Sequence, residues 1–387
     1  MLATIALLLV VGVVLLAVAC LQCVGCVADD GCASSLTLSS SVLGYTYEVL
    51  AWPPADAGQD ASFSVVTSSS STSTKVRVTL APGPPNCAVE FGAVRLDCGQ
   101  TVDITLLSTE TATFASTSAD LSGTLVEAST PVAVYAGNSR VTIGSSNVTD
   151  AASEQLFPRS AWGREFVVAP VPDNGQSGYS LRVSCGRAVD VSVDVAGVVH
   201  QLTRQRPLIV DFTDNRPAYV SVVNGGGGGS GAVVQLVQFV RGATSASDGG
   251  APAALVVPAV DRLSDVYQLT AVDADYVRHV SVVARAADVG GLRLNGQSLS
   301  VSWLNVDSRT DWMTAAVPLA STTSYTLEHV SQRPFAAYSH GYIPGQCAFA
   351  HPAGASLPLP VIHSLRLLPE IMRRKRIGLC RSKMHRC

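Results

Sequence analysis

Apolar and polar residues alternate along several short stretches of this chain. In Lys75–Leu80 the apolar side chains of Val76, Val78 and Leu80 fall on every second position, with polar residues between them. Val189–Val195 likewise has valine at every second position. A period of two is that of a β-strand with one buried face and one solvated face. After the first apolar run of the chain no stretch shows the longer period of an amphipathic helix, so the pattern predicts an all-β fold.

The most informative stretch is Thr130–Pro172. It opens with branched and aromatic residues at Val132–Tyr135, is closed by Gly137-Asn138, and continues through a polar loop to a second apolar run at Phe166–Val168. Such residues between Gly, Asn and Pro predict strand, loop and strand. We expect five side chains of this stretch to be buried, namely Val132, Val134, Trp162, Phe166 and Val168. We expect three to be exposed, namely Arg140, Arg159 and Arg164.

Parts of this stretch return further along the chain. Tyr135–Gly137 resembles Phe239–Gly242 and Tyr338–Gly341, and Val193–Gly197 resembles Leu292–Gly296. We therefore predict tandem antiparallel β-sandwich-like units, about three repeats of roughly 100 residues each. The predicted boundaries are 36–140, 155–245 and 252–357.

Four blocks carry a family resemblance: PVAVYAGN, EQLFPRSAWGREFVVAPV, ALVVPAVDRLSDVYQL and RPFAAYSHGYIPGQCAFAHPAG. In this order they resemble the N-terminal domain of IgGFc-binding proteins, from about Leu121 to Leu357. The resemblance implies an extracellular module of mucus-associated and cell-surface proteins. The family's usual cysteine close behind the Gly-Asn turn is missing, because Arg140 and Thr142 stand there. No compact binding motif carries over.

The two ends of the chain differ from its body. The apolar run Met1–Ala19 predicts a signal peptide at 1–28, alternatively cleaved after residue 19, with a retained membrane anchor as the other interpretation. Val361–Cys387 carries eight Lys/Arg and one Glu, a net charge of +7, within a basic and disordered tail predicted at 358–387. Because the whole chain has a formal charge of −3, the remaining 360 residues sum to −10. An acidic body argues against nucleic acid as a partner.

Ten cysteines in a chain predicted to enter an oxidising compartment should largely pair. Cys87 and Cys98 flank Gly92, so a hairpin that turns there would bring them within disulfide range. Pairing of Cys32 with Cys347 is a second hypothesis, which rests only on chain termini often lying close together.

Few residues of the chain are candidates for catalysis, metal binding or phosphate binding. His329, His340 and His351 are eleven residues apart, which alternates their faces on a strand, so we expect exposed or polar-packed histidines rather than a metal site. Gly225–Gly231 lacks a lysine and lies between two predicted strands, so it predicts a loop rather than a phosphate site. We predict no catalytic, cofactor-binding or metal-binding residue. Asn147 begins an Asn-Val-Thr sequon and is a candidate for glycosylation.

These observations together predict a secreted or cell-surface protein that binds or adheres. The expected ligand is an extracellular protein or a glycoprotein, including components of mucus, that is held reversibly and not converted. A contact with membrane is expected only if the N-terminal apolar segment is retained as an anchor. Two alternatives stay open: a secreted hydrolase whose site is assembled from loops, and a purely structural extracellular spacer.

Overall fold

The structure is a computed structural model that describes residues 24–27, 31–54, 59–68, 72–144, 148–172, 178–186, 191–203, 206–224, 231–244 and 249–358. Antiparallel strands account for nearly all of its regular structure, which confirms the predicted all-β class. Within this described part no helix is long and apolar enough to cross a membrane. Most of the predicted signal peptide and the predicted tail beyond residue 358 lie outside the described residues.

The N-terminal hairpin and the first group of strands precede residue 156. Their bounds are β1 Val24–Val27, β2 Gly31–Ser34, β3 Gly44–Glu48, β4 Ala61–Thr67, β5 Ser73–Thr79, β6 Ala88–Phe91, β7 Val94–Asp97, β8 Thr101–Leu107, β9 Thr111–Ser116, β10 Leu125–Val141 and β11 Asp150–Gln155. We call β3–β11 the first region.

Two further groups of strands follow. The second region comprises β12 Glu165–Val168, β13 Tyr179–Ser184, β14 Val191–Val195, β15 Val198–Leu202, β16 Leu208–Phe212, β17 Ala218–Asn224, β18 Gln235–Val240 and β19 Ala253–Val256. The third region comprises β20 Val266–Leu269, β21 Val277–Arg285, β22 Leu292–Leu294, β23 Gln297–Ser298, β24 Leu304–Asn305, β25 Trp312–Leu319, β26 Tyr325–His329, β27 Ala336–Ile343 and β28 Cys347–Pro352. Short 3-10 turns lie at Ser40–Val42, Arg159–Ala161, Val260–Arg262 and Val289–Gly291.

Strand β10 joins the two layers of the first region, one of which contains β5 and the other β4. Its first part, Leu125–Ala128, pairs with β5, and a register shift separates it from Val132–Gly137, which pairs with β4. The alternating stretch at β5 buries Val76 and Val78 as predicted. Because β10 belongs to both layers, the layers form one nine-stranded sheet.

The predicted end of a strand at Gly137-Asn138 is wrong. Strand β10 continues to Val141, and part of the predicted polar loop forms β11, which pairs with β10. Gly137 serves a close approach of two strands, because a Cβ there would overlap the carbonyl oxygen of Ala152. The side chain of Asn138 is buried and donates to the carbonyl oxygen of Trp52 at 2.9 Å.

The second and third regions each consist of two facing sheets. The second region has the strand orders β12-β17-β14-β15 and β16-β13-β18-β19. The third has β20-β26-β22-β23 and β24-β25-β21-β27-β28. Val191, Val193 and Val195 are buried between the sheets of the second region, as their alternation predicts, whereas Val189 lies outside the described residues.

The same local arrangement occurs near the start of each region. A 3-10 turn precedes a strand, and a residue just before or at the start of that strand bridges to a distant one. The three bridges are Gly44 to Val132, Gly163 to Val234, and Ser264 to Phe335. In two of them a buried tyrosine closes the contact: Tyr47 donates to the Val132 carbonyl oxygen at 2.6 Å, and Tyr267 donates to that of Phe335 at 2.5 Å. This recurrence supports a structural repeat, while the number of units and their boundaries stay predictions.

The bridges also correct one sequence comparison. They align Val132 with Val234, so Tyr135 corresponds to Val237, which lies two residues before Phe239. The similarity of Tyr135–Gly137 to Phe239–Gly242 is therefore out of register.

The burial expected in Thr130–Pro172 is confirmed for Val132, Val134, Trp162, Phe166 and Val168. Trp162 donates its indole N–H to the Phe157 carbonyl oxygen at 3.2 Å, which fits a structural role. Arg140 is exposed, as expected, but Arg159 and Arg164 are half-buried. For these two arginines the prediction is wrong, because the guanidinium of Arg159 stacks on Trp162 and that of Arg164 donates to the Ala232 carbonyl oxygen at 2.9 Å.

Candidate interaction surfaces

Each of the later regions has one sheet covered by the region before it. The outer face of the β13 sheet packs into the core of the first region through Val237, Phe239, Ala254 and Val256. The outer face of the β21 sheet packs into the core of the second region through Val283, Trp312, Ala336, Tyr338 and Ala350. Each region therefore packs against the next through a buried interface, and the regions are not joined by flexible linkers alone.

Arg182 lies at the centre of the contact between the first and second regions, which we call the first contact. Only 1% of its surface is exposed. Its Nη1 donates to the Ala51 carbonyl oxygen at 2.7 Å, to Ser122 Oγ at 2.8 Å and to Asp120 Oδ2 at 3.0 Å. The guanidinium also lies 5.0 Å from the ring centre of Trp52. A buried cation is tolerated here because a carboxylate, two neutral oxygens and an aromatic face surround it.

Ser281 occupies the same position in the contact between the second and third regions, which we call the second contact. Its hydroxyl donates to the Pro170 carbonyl oxygen at 2.9 Å and lies 3.0 Å from His340 Nε2. Because the single hydroxyl hydrogen goes to Pro170, Nε2 of His340 must be the donor. Tyr338 adds a hydrogen bond of 2.7 Å to the Val167 carbonyl oxygen. The second contact is thus uncharged at its centre.

Two buried histidines of the third region are held neutral: His340 at the second contact, and His351, which lies on the opposite face of the same sheet. Burial, together with a smaller effect of the neighbouring His279 and His351, lowers the pKa of His340 to about 3. The pKa of His351 is lowered to about 4, because the effect of burial outweighs that of its hydrogen bond with the Pro352 carbonyl oxygen. The third histidine of the predicted set, His329, lies 2.9 Å through Nε2 from the Asp288 carbonyl oxygen. All three predicted histidines are buried, so the polar-packed interpretation is confirmed and the exposed one is wrong.

An ion cluster lies at the rim of the second contact. Arg309 of the third region donates to Asp194 of the second region at 2.9 Å and to Asp307 at 2.6 Å. These hydrogen bonds from Arg309 lower the pKa of both carboxyl groups and raise the pKa of the guanidinium. Charge is therefore at the centre of the first contact and at the rim of the second.

The two outermost sheet faces carry exposed polar side chains instead. In register, Arg182 lies opposite Val237 and Ser281 opposite Tyr338, and the corresponding residue of the first region is Ser64, opposite Tyr135. Ser64 faces solvent, where it forms a hydrogen bond of 2.8 Å with Thr113. At the other end the outer face of the β20 sheet carries a hydrogen bond between Thr326 and Gln268. Polar outer faces are what terminal units of a repeat array need for solubility.

An apolar surface occurs at the side of the second region. Among the described strands β15 and β16 are the last of their sheets, and they follow each other in the chain and lie side by side. We call this pair the open edge. It exposes Val198, Val199 and Ile209, at 57%, 55% and 48% respectively. Half-buried Leu208 and Val210 line the seam between the two strands.

The other two regions protect their corresponding edges. In the first region Arg95, Asp97 and Asp103 place exposed charges on edge strands β7 and β8. In the third region the edge strands β23 and β24 have only two residues each. Charges and short strands are both devices that prevent edge-to-edge pairing. Strand β15 has five residues and no charge, and β16 has one charged residue, Asp211, which is paired with Arg241 at 2.8 Å.

The cysteine pairs and the sequon predicted from the sequence lie in different parts of the chain. The structure joins Cys87 and Cys98 by a disulfide, with 5.7 Å between their Cα atoms, across the hairpin of β6 and β7. Cys347 is also disulfide-bonded, and β2, which contains Cys32, lies beside β28. The side chain of Cys32 lies outside the described part, so this pairing stays a prediction. Asn147 also lies outside the described residues, and its glycosylation stays a prediction.

One buried acid was missed by the sequence analysis. Glu154 in β11 is almost fully buried, and neither carboxyl oxygen has a hydrogen-bond partner among the described residues. Burial raises the pKa of this carboxyl well above its ordinary value, and nearby backbone N–H groups only partly offset the effect. Nothing in DAASEQ predicts a buried strand, because it lacks branched and aromatic residues. In the described part no cluster of three His, Cys, Asp or Glu side chains has the geometry to hold a metal ion.

The architecture defines an all-β protein of adjoining antiparallel sheets, with an exposed apolar edge on the second region. A family profile described as IgGFc binding protein matches residues 33–341, so the chain belongs to this family. The match begins well before Leu121, so the first region belongs to the family's sequence pattern as well. A protein of Homo sapiens, IgGFc-binding protein, is 29% identical over 259 residues, which is 66% of this chain and 4% of the relative. The chain thus spans a small fraction of that relative's length.

Proposed function

We propose that this chain is a secreted or cell-surface binding protein, which holds an extracellular protein or glycoprotein reversibly and leaves it chemically unchanged. Membership of the IgGFc-binding family supports a binding role outside the cell. Components of mucus and of cell surfaces are the ligands that we consider first.

The buried contact at Arg182 is the observation that carries this proposal. Because Arg182 and Ser281 tie each region to the carbonyl groups of the one before it, the three regions form one preassembled scaffold. Little further ordering of the regions is then needed when a ligand spans two of them, and preorganisation of this kind favours affinity. Binding residues are commonly carried by loops on such a rigid β framework.

The test uses the full chain, purified and immobilised without reductant. The human relative's name states that it binds the Fc part of immunoglobulin G, so an Fc fragment is the first probe and mucus proteins are the second. We expect at least one probe to be retained, released by excess soluble chain, and recovered with unchanged mass. Chain that has been unfolded and refolded under reducing conditions is the control, and it should retain less.

Catalysis would replace this proposal. Conversion of a glycan, ester or peptide probe by the purified chain, abolished by a single carboxylate or serine substitution, would establish an enzyme. Retention of no probe by the native chain would instead favour a spacer.

A further inference from the structure

We infer that the open edge of the second region is a pairing surface for a second copy of this chain. The surface consists of β15 and β16, which end their sheets side by side and expose Val198, Val199 and Ile209. An edge strand presents unpaired N–H and C=O groups, which form a template for another strand. The occupant that we infer is the same edge of a partner copy, bound about a twofold axis.

The arrangement of the two edge strands fits such an axis. A twofold axis perpendicular to both layers pairs β15 with β15 of the second copy in antiparallel fashion, and at the same time pairs β16 with β16. Each four-stranded sheet of the second region then continues into an eight-stranded sheet across the dimer, from the orders β12-β17-β14-β15 and β16-β13-β18-β19. Val199, opposite Asp194, and Ile209, opposite Arg182, lie on the outer faces of the two sheets, so each lies beside the same strand of the partner copy in an isologous contact.

The charge on the open edge permits this pairing. Strand β15 carries no charged residue, and Asp211 of β16 is neutralised by Arg241. Two identical edges therefore meet without the like-charge opposition that destabilises cross-strand pairs. The equivalent edge of the first region would place Arg95 and Asp97 of β7 against their own copies. This contrast is the reason to assign the pairing to the second region.

The size of the open edge sets the strength that we expect. A strand of five residues is about 17 Å long and the two layers lie about 10 Å apart, so the paired edge covers about 170 Å² per copy. A stable dimer buries about 800 Å² per partner. The pairing is therefore a weak and reversible one. Its consequence is multivalency, because two copies held together present two sets of ligand contacts.

The dependence of the association on salt concentration gives a second test of the pairing. The full chain carries a formal net charge of −3, so two copies repel each other weakly at low ionic strength. Added salt screens this repulsion and leaves the apolar strands unaffected, so the dimer should strengthen as salt is raised. A dimer held by ion pairs would respond in the opposite direction.

The experiment is sedimentation equilibrium of the full chain over a wide concentration range, in reductant. We expect the mean mass of the wild type to rise from one chain towards two. In the Val199→Lys and Ile209→Lys variants the association should weaken by about tenfold or more, because lysines are brought against their own copies. Both residues are half-exposed, so the folded monomer should accept the change, and the thermal unfolding midpoint checks this.

Leu107→Lys is the matched control. Leu107 is 54% exposed on edge strand β8 of the first region, and its substitution should leave the association unchanged. Hydrogen exchange provides the second measurement: amides of β15 and β16 should become slower to exchange at high concentration, and those of β8 should not.

Three results would overturn the inference. They are a wild type that stays a single chain at every concentration, an association that Leu107→Lys removes and Val199→Lys does not, and a dimer seen only without reductant. If the chain stays monomeric but binds an extended peptide on β15, the inference of a second copy is also overturned. Ligand retention is measured separately on the Val199→Lys monomer, so a failed dimer and a failed binding function remain distinguishable.

Discussion

The first and second contacts join equivalent surfaces with different chemistry. In both, a side chain on the central strand of the covered sheet donates to a carbonyl oxygen of the preceding region: Arg182 to Ala51, and Ser281 to Pro170. At the first contact the donor is a cation that also meets Asp120 and the face of Trp52. At the second it is a hydroxyl group held by a neutral histidine.

This difference shows that the fold fixes where the regions meet and leaves open how the contact is stabilised. A buried cation requires its carboxylate and its acceptors to be in place, so it tolerates little displacement. A serine and a neutral histidine need no buried counter-ion, but their hydrogen bond depends on the histidine staying unprotonated. We therefore expect the first contact to be sensitive to substitution and the second to be sensitive to acid.

Loss of Arg182 should have the largest effect. Arg182→Ala removes a buried guanidinium and leaves a cavity beside Trp52, so we expect about 3–5 kcal/mol of destabilisation. The measurement is the urea unfolding midpoint, followed by tryptophan fluorescence. Arg77→Ala is the matched control, because the Arg77–Asp103 pair is solvent-exposed and should contribute under about 1 kcal/mol. Equal shifts in the two variants would contradict a central role for Arg182.

Acid should weaken the second contact before the first. The folded-state pKa values of about 3 for His340 and about 4 for His351 lie below the ordinary 6.5. The unfolded state therefore binds more protons, so this stability is present above pH 6.5 and is lost as the pH falls towards 4 and then 3. In that window each such histidine lowers the stability by about 1.4 kcal/mol per pH unit.

Hydrogen exchange at pH 7, 5 and 4 locates this effect. Amides of β21 and β27 should lose protection as the pH falls, while those of β13 and β18 keep theirs. His340→Gln removes one titrating group and should flatten the pH dependence. A variant as acid-sensitive as the wild type would contradict the assignment to His340.

Glu154 should respond to pH in the opposite direction and by a smaller amount. It lies in β11, the strand of the first region that packs against β19 of the second. Its raised pKa means that the folded state binds the extra proton, so this stability is present below the ordinary value of 4.5 and is lost as the pH rises towards the folded value. Glu154→Gln keeps the shape without the titration, and we expect it to raise stability at pH 7 by about 1–3 kcal/mol.

Thermal unfolding midpoints at pH 4 and pH 7 measure the Glu154 effect. The gain from Glu154→Gln should nearly vanish at pH 4, where the wild-type carboxyl is protonated in both states. Glu127→Gln, which makes the same change at a half-buried glutamate of β10, is the control. A gain that is equal at both pH values would mean that Glu154 is not protonated in the fold.

Local patterns were predictable from the sequence, because they depend on neighbours in the chain. The alternation at Val76 and Val78 and the burial of Trp162 both followed from side-chain type and spacing. The family resemblance was confirmed for the same reason, since its blocks are contiguous. Strand β11 was missed because its small and polar residues are buried by surrounding strands rather than by their own hydrophobicity.

The contacts between regions were not predictable, because they join residues far apart in the chain. Arg182 stands in an ordinary alternating strand, and only the arrival of Ala51 and Asp120 makes it a buried donor. The open edge is hidden for a similar reason. Val198 and Val199 resemble core residues in the sequence, and only the strand order shows that β15 has no neighbour on its outer side among the described strands.

The ion cluster at the rim of the second contact should give the smallest effect. Arg309 is about half-exposed, so water and salt screen its interactions with Asp194 and Asp307. Arg309→Ala leaves those two carboxylates facing each other without their cation. We expect a slight fall in the thermal midpoint at neutral pH, which should shrink as salt is raised because screening weakens the repulsion.

A second substitution separates the cation from the repulsion. In Arg309→Ala with Asp307→Asn one carboxylate remains, so the midpoint should recover most of the loss even though the hydrogen bonds to Arg309 are gone. The hydrogen bond from Arg309 is the largest cause of the lowered pKa of Asp194. Removal of Arg309 should therefore move the titration of Asp194 to higher pH, and carbon NMR of the carboxyl group can follow this shift. If Arg309→Ala instead lowers the midpoint as far as Arg182→Ala does, the second contact depends on charge as the first does, and the contrast between them fails.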